Sequence, residues 1–86
     1  MIEEEIGEVT HYFGKIGVAI VKLTAGSISI GDTVHIKGRA TDFSQTVDSL
    51  ESEHQKLSEA KAGDSFGTKA KEKVREGDKV FKVVGE

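Results

Sequence analysis

The chain contains the stretch Ile28-Ser29-Ile30-Gly31-Asp32-Thr33-Val34-His35-Ile36-Lys37-Gly38, in which a Gly-Asp turn precedes a run of alternating apolar and polar residues. The same arrangement recurs at Gly63-Asp64, before Phe66-Gly67-Thr68-Lys69, and at Gly77-Asp78, before Val80-Phe81-Lys82-Val83. Glycine tolerates positive φ and aspartate hydrogen-bonds its own turn backbone, so each pair is expected to reverse the chain. Because the alternating runs have the period of half-buried strands, the turns predict a small antiparallel β barrel.

Length and composition limit what the chain can be. Its 86 residues allow one domain, spanning 1–86, with a modest core, because a chain of this size buries only about 60–65% of its unfolded surface. The absence of cysteine excludes disulfides and thiolate chemistry and is consistent with a cytoplasmic location. The acidic start does not have the pattern of a signal peptide, and no stretch is apolar enough to predict a membrane span.

Several segments carry clear strand signals. Residues 5–12 are expected to form a first strand with a bulge, since Ile6, Val9 and Tyr12 are irregularly spaced. Residues 18–23 are β-branched and nearly all apolar, which favours a buried strand. Residues 79–84 are expected to form the last strand, with Val80 and Phe81 on opposite faces.

Residues 46–61 support two interpretations. The residues at helical spacings of three and four are Val47, Leu50, His54, Leu57 and Lys61. The two-residue period of Phe43, Gln45 and Val47 instead favours a strand, and a bulge could then turn Leu50 inward. Periodicity alone leaves both possibilities open.

The sequence contains no constellation that supports catalysis. Gly14-Lys15 lacks the upstream glycine of a phosphate-binding loop, and the nucleophile motif Gly-x-Ser-x-Gly does not occur. The histidines His11, His35 and His54 are far apart in sequence without a partner cysteine, and His54 is interpreted as a solvated histidine among acidic neighbours. We therefore expect a binding module that is not an enzyme and that has no metal, cofactor or bound nucleotide.

The strongest candidate for binding is the set Lys69, Lys71, Lys73 and Arg75. The net charge of −3 argues against binding of nucleic acid by bulk charge, but a spacing of two on a strand would place these four cations on one face. Such a face could follow a phosphate backbone. The alternative is an ordinary solvated face that discourages strand pairing between molecules.

Two loops combine aromatic residues with cations, an arrangement that can stack bases and hold phosphates. The first has His11, Tyr12, Phe13 and Lys15, and its alternative role is to close one end of the barrel. The second has Lys37 and Arg39 ahead of Phe43, and its alternative role is a hairpin loop with Phe43 in the core. Exposure of Tyr12, Phe13 and Phe43 as one patch would instead favour a protein partner.

Taken in order, these segments resemble a known family, domain two of the translation GTPases such as elongation factor Tu. The resemblance is carried by Ile6-Gly7-Glu8-Val9-Thr10, Gly17-Val18-Ala19-Ile20-Val21, residues 28–38, residues 57–67 and residues 74–80. A closer resemblance is to the C-terminal barrel of the collagenase-like peptidases, carried by residues 11–19 and 37–47. Free-standing proteins that resemble translation elongation factors are also similar to the chain.

The resemblance implies an all-β fold: a small closed Greek-key barrel of six to seven strands, of the translation-protein domain-two type. It also implies that residues 43–55 form one long bent strand and that 46–61 is not a full helix. For function it implies a module that binds ribosomal RNA, tRNA or the ribosome. The alternative is an accessory module that docks on a separately encoded enzyme or translation factor. Neither family supplies a catalytic residue that maps onto this sequence.

Overall fold

The fold is taken from a computed structural model, which describes residues 2–52 and 55–84. Within these residues the chain is all-β, with no helix. The ten strands are β1 (Ile2–Phe13), β2 (Val18–Leu23), β3 (Ser27–Ser29), β4 (Thr33–Lys37), β5 (Asp42–Thr46), β6 (Leu50–Ser52), β7 (Gln55–Leu57), β8 (Glu59–Lys61), β9 (Ser65–Lys69) and β10 (Lys79–Val84).

Eight of the strands form one curved sheet in the order β5-β4-β10-β1-β2-β9-β6-β7, and β3 pairs with β8 in a second sheet. All the described ladders are antiparallel. The alternating positions of these strands point into a single apolar core. Its buried members are Ile6, Val9, Ala19, Val21, Leu23, Ile28, Val34, Ile36, Val47, Leu50, Ala60, Phe66, Val74 and Val80.

The three Gly-Asp turns have the same geometry. Gly31, Gly63 and Gly77 all have φ between 93° and 98°, a region that favours glycine. The aspartate that follows each glycine donates its backbone N–H to the residue three positions earlier, at 2.9–3.1 Å. One carboxylate oxygen of the same aspartate accepts the backbone N–H of that earlier residue, at 2.8–3.0 Å. The predicted self-bonded reversals are therefore confirmed.

Strand β1 has the bulge expected from its irregular spacing, and a second one as well. The register shifts between Glu5 and Gly7 against β10, and between Val9 and His11 against β2. At Gly7 the backbone of β2 comes so close that a Cβ atom would lie 2.1 Å from the carbonyl oxygen of Lys22. Only glycine fits at this position, so the packing of β1 on β2 depends on it.

The predicted closed barrel of six to seven strands is only partly right. The chain is all-β, but the number of strands is higher, and among the described strands no ladder joins β5 to the far edge of the sheet at β7. The sheet curves enough for Gln45 on β5 to reach the end of β9, where its Nε2 donates to the carbonyl of Lys69 at 2.7 Å. A closed barrel is therefore not shown.

The predicted long strand over 43–55 is wrong. Strand β5 ends at Thr46, because Val47 turns its backbone to the first Gly-Asp turn: its N–H donates to Asp32 and its carbonyl accepts from Gly31. Pairing resumes at Leu50, which is buried as the bulge interpretation expected. The helical interpretation is also wrong for the described part of 46–61, while His54 lies outside the described residues.

Candidate functional site

An apolar groove lies beside the turn that joins β1 to β2. Its volume is about 660 Å³, and its apolar lining includes Phe13, Ile16, Val18 and Ile20. Phe13 is 45% exposed and Ile16 60% exposed, which is unusual for large apolar side chains in one place. Its polar lining residues are Glu51, Ser52, Asp64 and Ser65. Exposed apolar side chains next to polar ones are typical of protein interfaces.

Local structure fixes the shape of this groove. The turn is held by the backbone N–H of Gly17, which donates to Phe13 at 2.8 Å, and Gly17 has a φ of 66°. Across the groove, Gly67 has no side chain, and a Cβ there would lie 3.2–3.3 Å from Ile20 and Val18. Gly17 therefore shapes the turn that carries Ile16, and Gly67 leaves room for the side chains of Val18 and Ile20.

The structure separates the residues predicted for the first aromatic loop. Tyr12 is half-buried and packs against the core, whereas His11 and Phe13 lie on the outside, with ring centroids 4.4 Å apart. The Nδ1 atom of His11 is 3.1 Å from a carboxylate oxygen of Glu76. Lys15 is exposed in the turn. Phe13 is thus the member of this group that joins the apolar groove.

The second predicted loop does not contribute an aromatic patch. Lys37 ends β4 and lies opposite Asp42 on one side and Lys79 on the other, and Arg39 is exposed in the loop that follows. Phe43 is half-buried against the core, as the hairpin alternative expected. Tyr12, Phe13 and Phe43 consequently do not form one exposed patch.

The predicted row of four cations on one strand is wrong. Strand β9 ends at Lys69, and Lys71, Lys73 and Arg75 are exposed in the segment before β10. The backbone N–H of Ala70 makes a last bond to Gly17, after which the chain leaves the ladder. Beside these cations in the sequence, Thr68 and Val74 are buried and Ala70 packs on the core.

Lys69 and Lys71 instead border a second groove, of about 570 Å³, between β5 and the end of β9. Its other lining residues are Thr33, Ser44, Gln45, Thr46, Asp48 and Ala70. All of its lining residues except Ala70 are polar or charged. Sequence reasoning missed it, because its two walls come from residues more than 20 positions apart.

A histidine between two carboxylates was also missed. His35 lies with Nε2 2.5 Å from Asp42 and Nδ1 2.8 Å from Glu3, and its ring packs 6.3 Å from that of Phe81. The hydrogen bond to Asp42 raises the pKa of His35, desolvation opposes this, and Glu3 adds to it. The hydrogen bond from His35 lowers the pKa of Asp42. The ring of His35 therefore joins β4 to Glu3 on β1 and to Asp42 on β5.

Neither a metal site nor a membrane helix is found in the described part of the chain. No group of three or more histidine, cysteine, aspartate or glutamate side chains among residues 2–52 and 55–84 could hold a metal ion. None of these residues belongs to a helix that is long and apolar enough to cross a bilayer.

Comparison with known proteins links the sequence to proteases. The chain is 37% identical over 78 residues to an uncharacterized protease of Methanocaldococcus jannaschii, a match that covers 90% of this chain and 19% of the protease. It is 33% identical over 78 residues to a collagenase of Porphyromonas gingivalis, covering 90% of this chain and 22% of the collagenase. The chain thus spans about a fifth of the length of these relatives. No family model matches it.

The fold is also found in a solved structure, the C-terminal domain of a Geobacillus thermoleovorans protein assigned to the U32 peptidases. The TM-score is 0.86 at 23% identity, covering 94% of this chain and 93% of that domain. The selenomethionine form of the same domain gives a TM-score of 0.84 at 22% identity, covering 90% and 96%.

These findings overturn the translation-factor interpretation, and with it the prediction of RNA or ribosome binding, because the relatives are proteases and collagenases. They support the resemblance to the collagenase-like peptidases. The chain is homologous to a segment of collagenase-like proteases and has the fold of a U32 peptidase C-terminal domain.

Proposed function

We propose that this chain is a non-catalytic accessory domain of a U32-type peptidase. The observation that carries the proposal is the extent of the match: the similarity is confined to about a fifth of each protease, and the matching solved structure is a C-terminal domain. The proposal also agrees with the small size of the chain, which leaves no room for a deep cleft between domains.

The apolar groove around Phe13 and Ile16 is the face that we propose for docking. Its occupant is the part of the peptidase that carries catalysis and that lies outside the matched segment in the relatives. Burial of Phe13 and Ile16 would remove apolar surface from water, at about 25 cal/mol per Å². The polar lining residues Glu51 and Asp64 would lie at the edge of the contact, as polar residues do in most protein interfaces.

A chimera tests the accessory role. The matched segment of the Porphyromonas gingivalis collagenase is replaced by this chain, and hydrolysis of gelatin is compared among the chimera, the intact enzyme and a truncated enzyme without the segment. We expect the chimera to keep most of the activity that the truncation loses, and the isolated chain to have none. Circular dichroism and limited proteolysis of the truncated enzyme separate loss of folding from loss of function.

Two results would contradict the proposal. Peptidase activity in the isolated chain would contradict a non-catalytic role. A folded truncated enzyme that is as active and as stable as the intact one would contradict the accessory role.

A further inference from the structure

The polar groove between β5 and the end of β9 has an exposed strand edge on one side. Strand β5 is the terminal strand of the large sheet and pairs only with β4 among the described strands. In an antiparallel ladder, the backbone groups of successive residues point to alternate sides of the strand. A terminal strand therefore leaves every second residue with unpaired N–H and C=O groups on its outer side.

Two hydrogen bonds determine which residues of β5 face outward. The N–H of Val47 donates to Asp32 at 2.8 Å, and the N–H of Gly38 donates to Thr41 at 2.7 Å. Odd-numbered residues of β5 consequently turn their backbone groups toward β4. The backbone groups of Asp42, Ser44 and Thr46 point the other way, and Ser44 and Thr46 line the groove.

On the opposite wall of the groove, backbone groups of Lys69 and Lys71 form hydrogen bonds with side chains and not with a neighbouring strand. The Gln45 amide donates through Nε2 to the carbonyl of Lys69 at 2.7 Å and accepts through Oε1 from the N–H of Lys71 at 2.6 Å. The hydroxyl of Ser49 accepts from the N–H of Lys69 at 3.5 Å. The Gln45 amide thus gives one hydrogen bond and receives one, as a backbone peptide group of a neighbouring strand would do.

We propose that this groove binds an extended peptide segment with acidic side chains, by strand addition to β5. The peptide backbone would pair with Ser44 and Thr46 and would replace the Gln45 amide at Lys69 and Lys71. Strand addition derives its affinity from such main-chain bonds and its selectivity from the side chains at the groove wall. The exposed ammonium groups of Lys69 and Lys71 select carboxylates, against the single acid of the lining, Asp48.

This site differs from the apolar groove, so it can be tested on the isolated chain, whether or not the accessory role holds. The probe is an acetylated, amidated octapeptide of alternating threonine and glutamate, titrated at low salt while the amide resonances of the protein are recorded. Two control peptides carry lysine in place of glutamate, or N-methyl groups on alternate amides. We expect the first probe to shift the amides of Ser44, Thr46 and Lys71 and to slow their hydrogen exchange.

Variants of the groove test the main-chain pairing and the selection of acidic side chains separately. Gln45→Ala frees the Lys69 and Lys71 edge, so affinity should rise roughly three- to tenfold, the equivalent of about one hydrogen bond. Ser44→Pro removes an outward N–H on an edge strand, where proline is tolerated, and should weaken binding by a similar factor. Lys71→Ala should weaken binding of the glutamate peptide, whereas Lys56→Ala on β7, outside the groove, should not.

The proposal is overturned if neither the natural chain nor Gln45→Ala binds the glutamate peptide at millimolar concentration. It is also overturned if the N-methylated peptide binds equally well, or if the shifts fall at Phe13 and Ile16 instead. Far-UV circular dichroism of each variant confirms that the strands persist.

Discussion

The imidazole of His35 bridges Asp42 on β5 and Glu3 on β1, with Nε2 2.5 Å from the Asp42 carboxylate. The His35 side chain is only 16% exposed, while that of Asp42 is 68% exposed. Both ring nitrogens face acceptors, so the protonated ring satisfies both contacts and the neutral ring satisfies one as a donor. The contact ties the terminal strand β5 to the interior of the sheet.

This cluster should make stability depend on pH in two directions. Because the folded-state pKa of His35 is raised from 6.5, its contribution is fully present below about pH 6.5 and is lost as pH rises through the folded pKa. Because the folded-state pKa of Asp42 is lowered from 3.8, its contribution is present above about pH 3.8 and is lost as pH falls through the folded pKa. The cluster therefore stabilises the fold most between about pH 4 and 6.5.

Thermal unfolding at pH 5.5 and pH 8.5 checks this prediction. From pH 5.5 to pH 8.5, the melting temperature of the natural chain should fall on the order of 2–4 °C more than that of His35→Gln. Equal pH dependence in the natural chain and His35→Gln would show that the bridge has no such role.

Gly7→Ala should be strongly destabilising. The new Cβ would lie 2.1 Å from the carbonyl oxygen of Lys22, and the contact is with backbone that also pairs with β1. We expect the free energy of unfolding to fall by about 1–3 kcal/mol in a urea titration. The control is Gly14→Ala, whose Cβ would meet only the Tyr12 ring at 3.7 Å. Similar stability of the two variants would be inconsistent with the close approach at Gly7.

The three turn aspartates form a natural series, because the same hydrogen bond occurs at different depths. Asp78 is buried, Asp64 is exposed, and Asp32 is half-buried with Lys82 at 3.4 Å. Replacement by alanine should cost about 0.5–1.5 kcal/mol at Asp64 and about 1–3 kcal/mol at Asp78, because Asp78 is buried and its part-buried hydrogen bond from the N–H of Arg75 would be lost. Chemical unfolding of the three variants measures the order, and a larger loss at Asp64 than at Asp78 would refute it.

The turns and the strands next to them could be predicted from the sequence, because their signals are local. Residues 18–23 and 79–84 are strands with the expected limits, and the Gly-Asp pairs reverse the chain through bonds to residues three positions away. The alternating run after Gly31-Asp32 forms β4, in which Val34 and Ile36 are buried.

The remaining features depend on contacts between distant parts of the chain. Strand β5 ends at Thr46 because Val47 bonds to the turn at Asp32. Residues 71–75 leave the sheet after Ala70 bonds to Gly17. The local periodicity of the sequence predicts neither feature. The cluster at His35 requires Glu3, 32 positions away, to arrive on a neighbouring part of the sheet.

Only one of the two exposed apolar residues of the candidate docking site was selected from the sequence. Phe13 was selected as an aromatic residue in a loop with cations, but Ile16 was not, although an isoleucine between Lys15 and Gly17 in a tight turn is not expected to reach the core. That position is the signal that could have found it. Its exposure of 60% shows that the turn presents it to the outside.

Replacement of Phe13 and Ile16 by serine should separate folding from docking. Both side chains are largely exposed, so the isolated double variant should unfold within about 1 kcal/mol of the natural chain. In the collagenase chimera the same change should release the domain, which limited proteolysis at the junction would detect. As a matched control, Ile2→Ser alters an apolar side chain that is 65% exposed but lies outside the groove.

Hydrogen exchange at the turn between β1 and β2 tests the central claim most directly. The exchange of amides in residues 13–20 is compared between the isolated chain and the collagenase chimera by mass spectrometry. Docking through the apolar groove predicts slower exchange of this segment in the chimera, and recovery of fast exchange when Phe13 and Ile16 are serine. Identical exchange in the isolated chain and a folded, active chimera would contradict the proposed docking face.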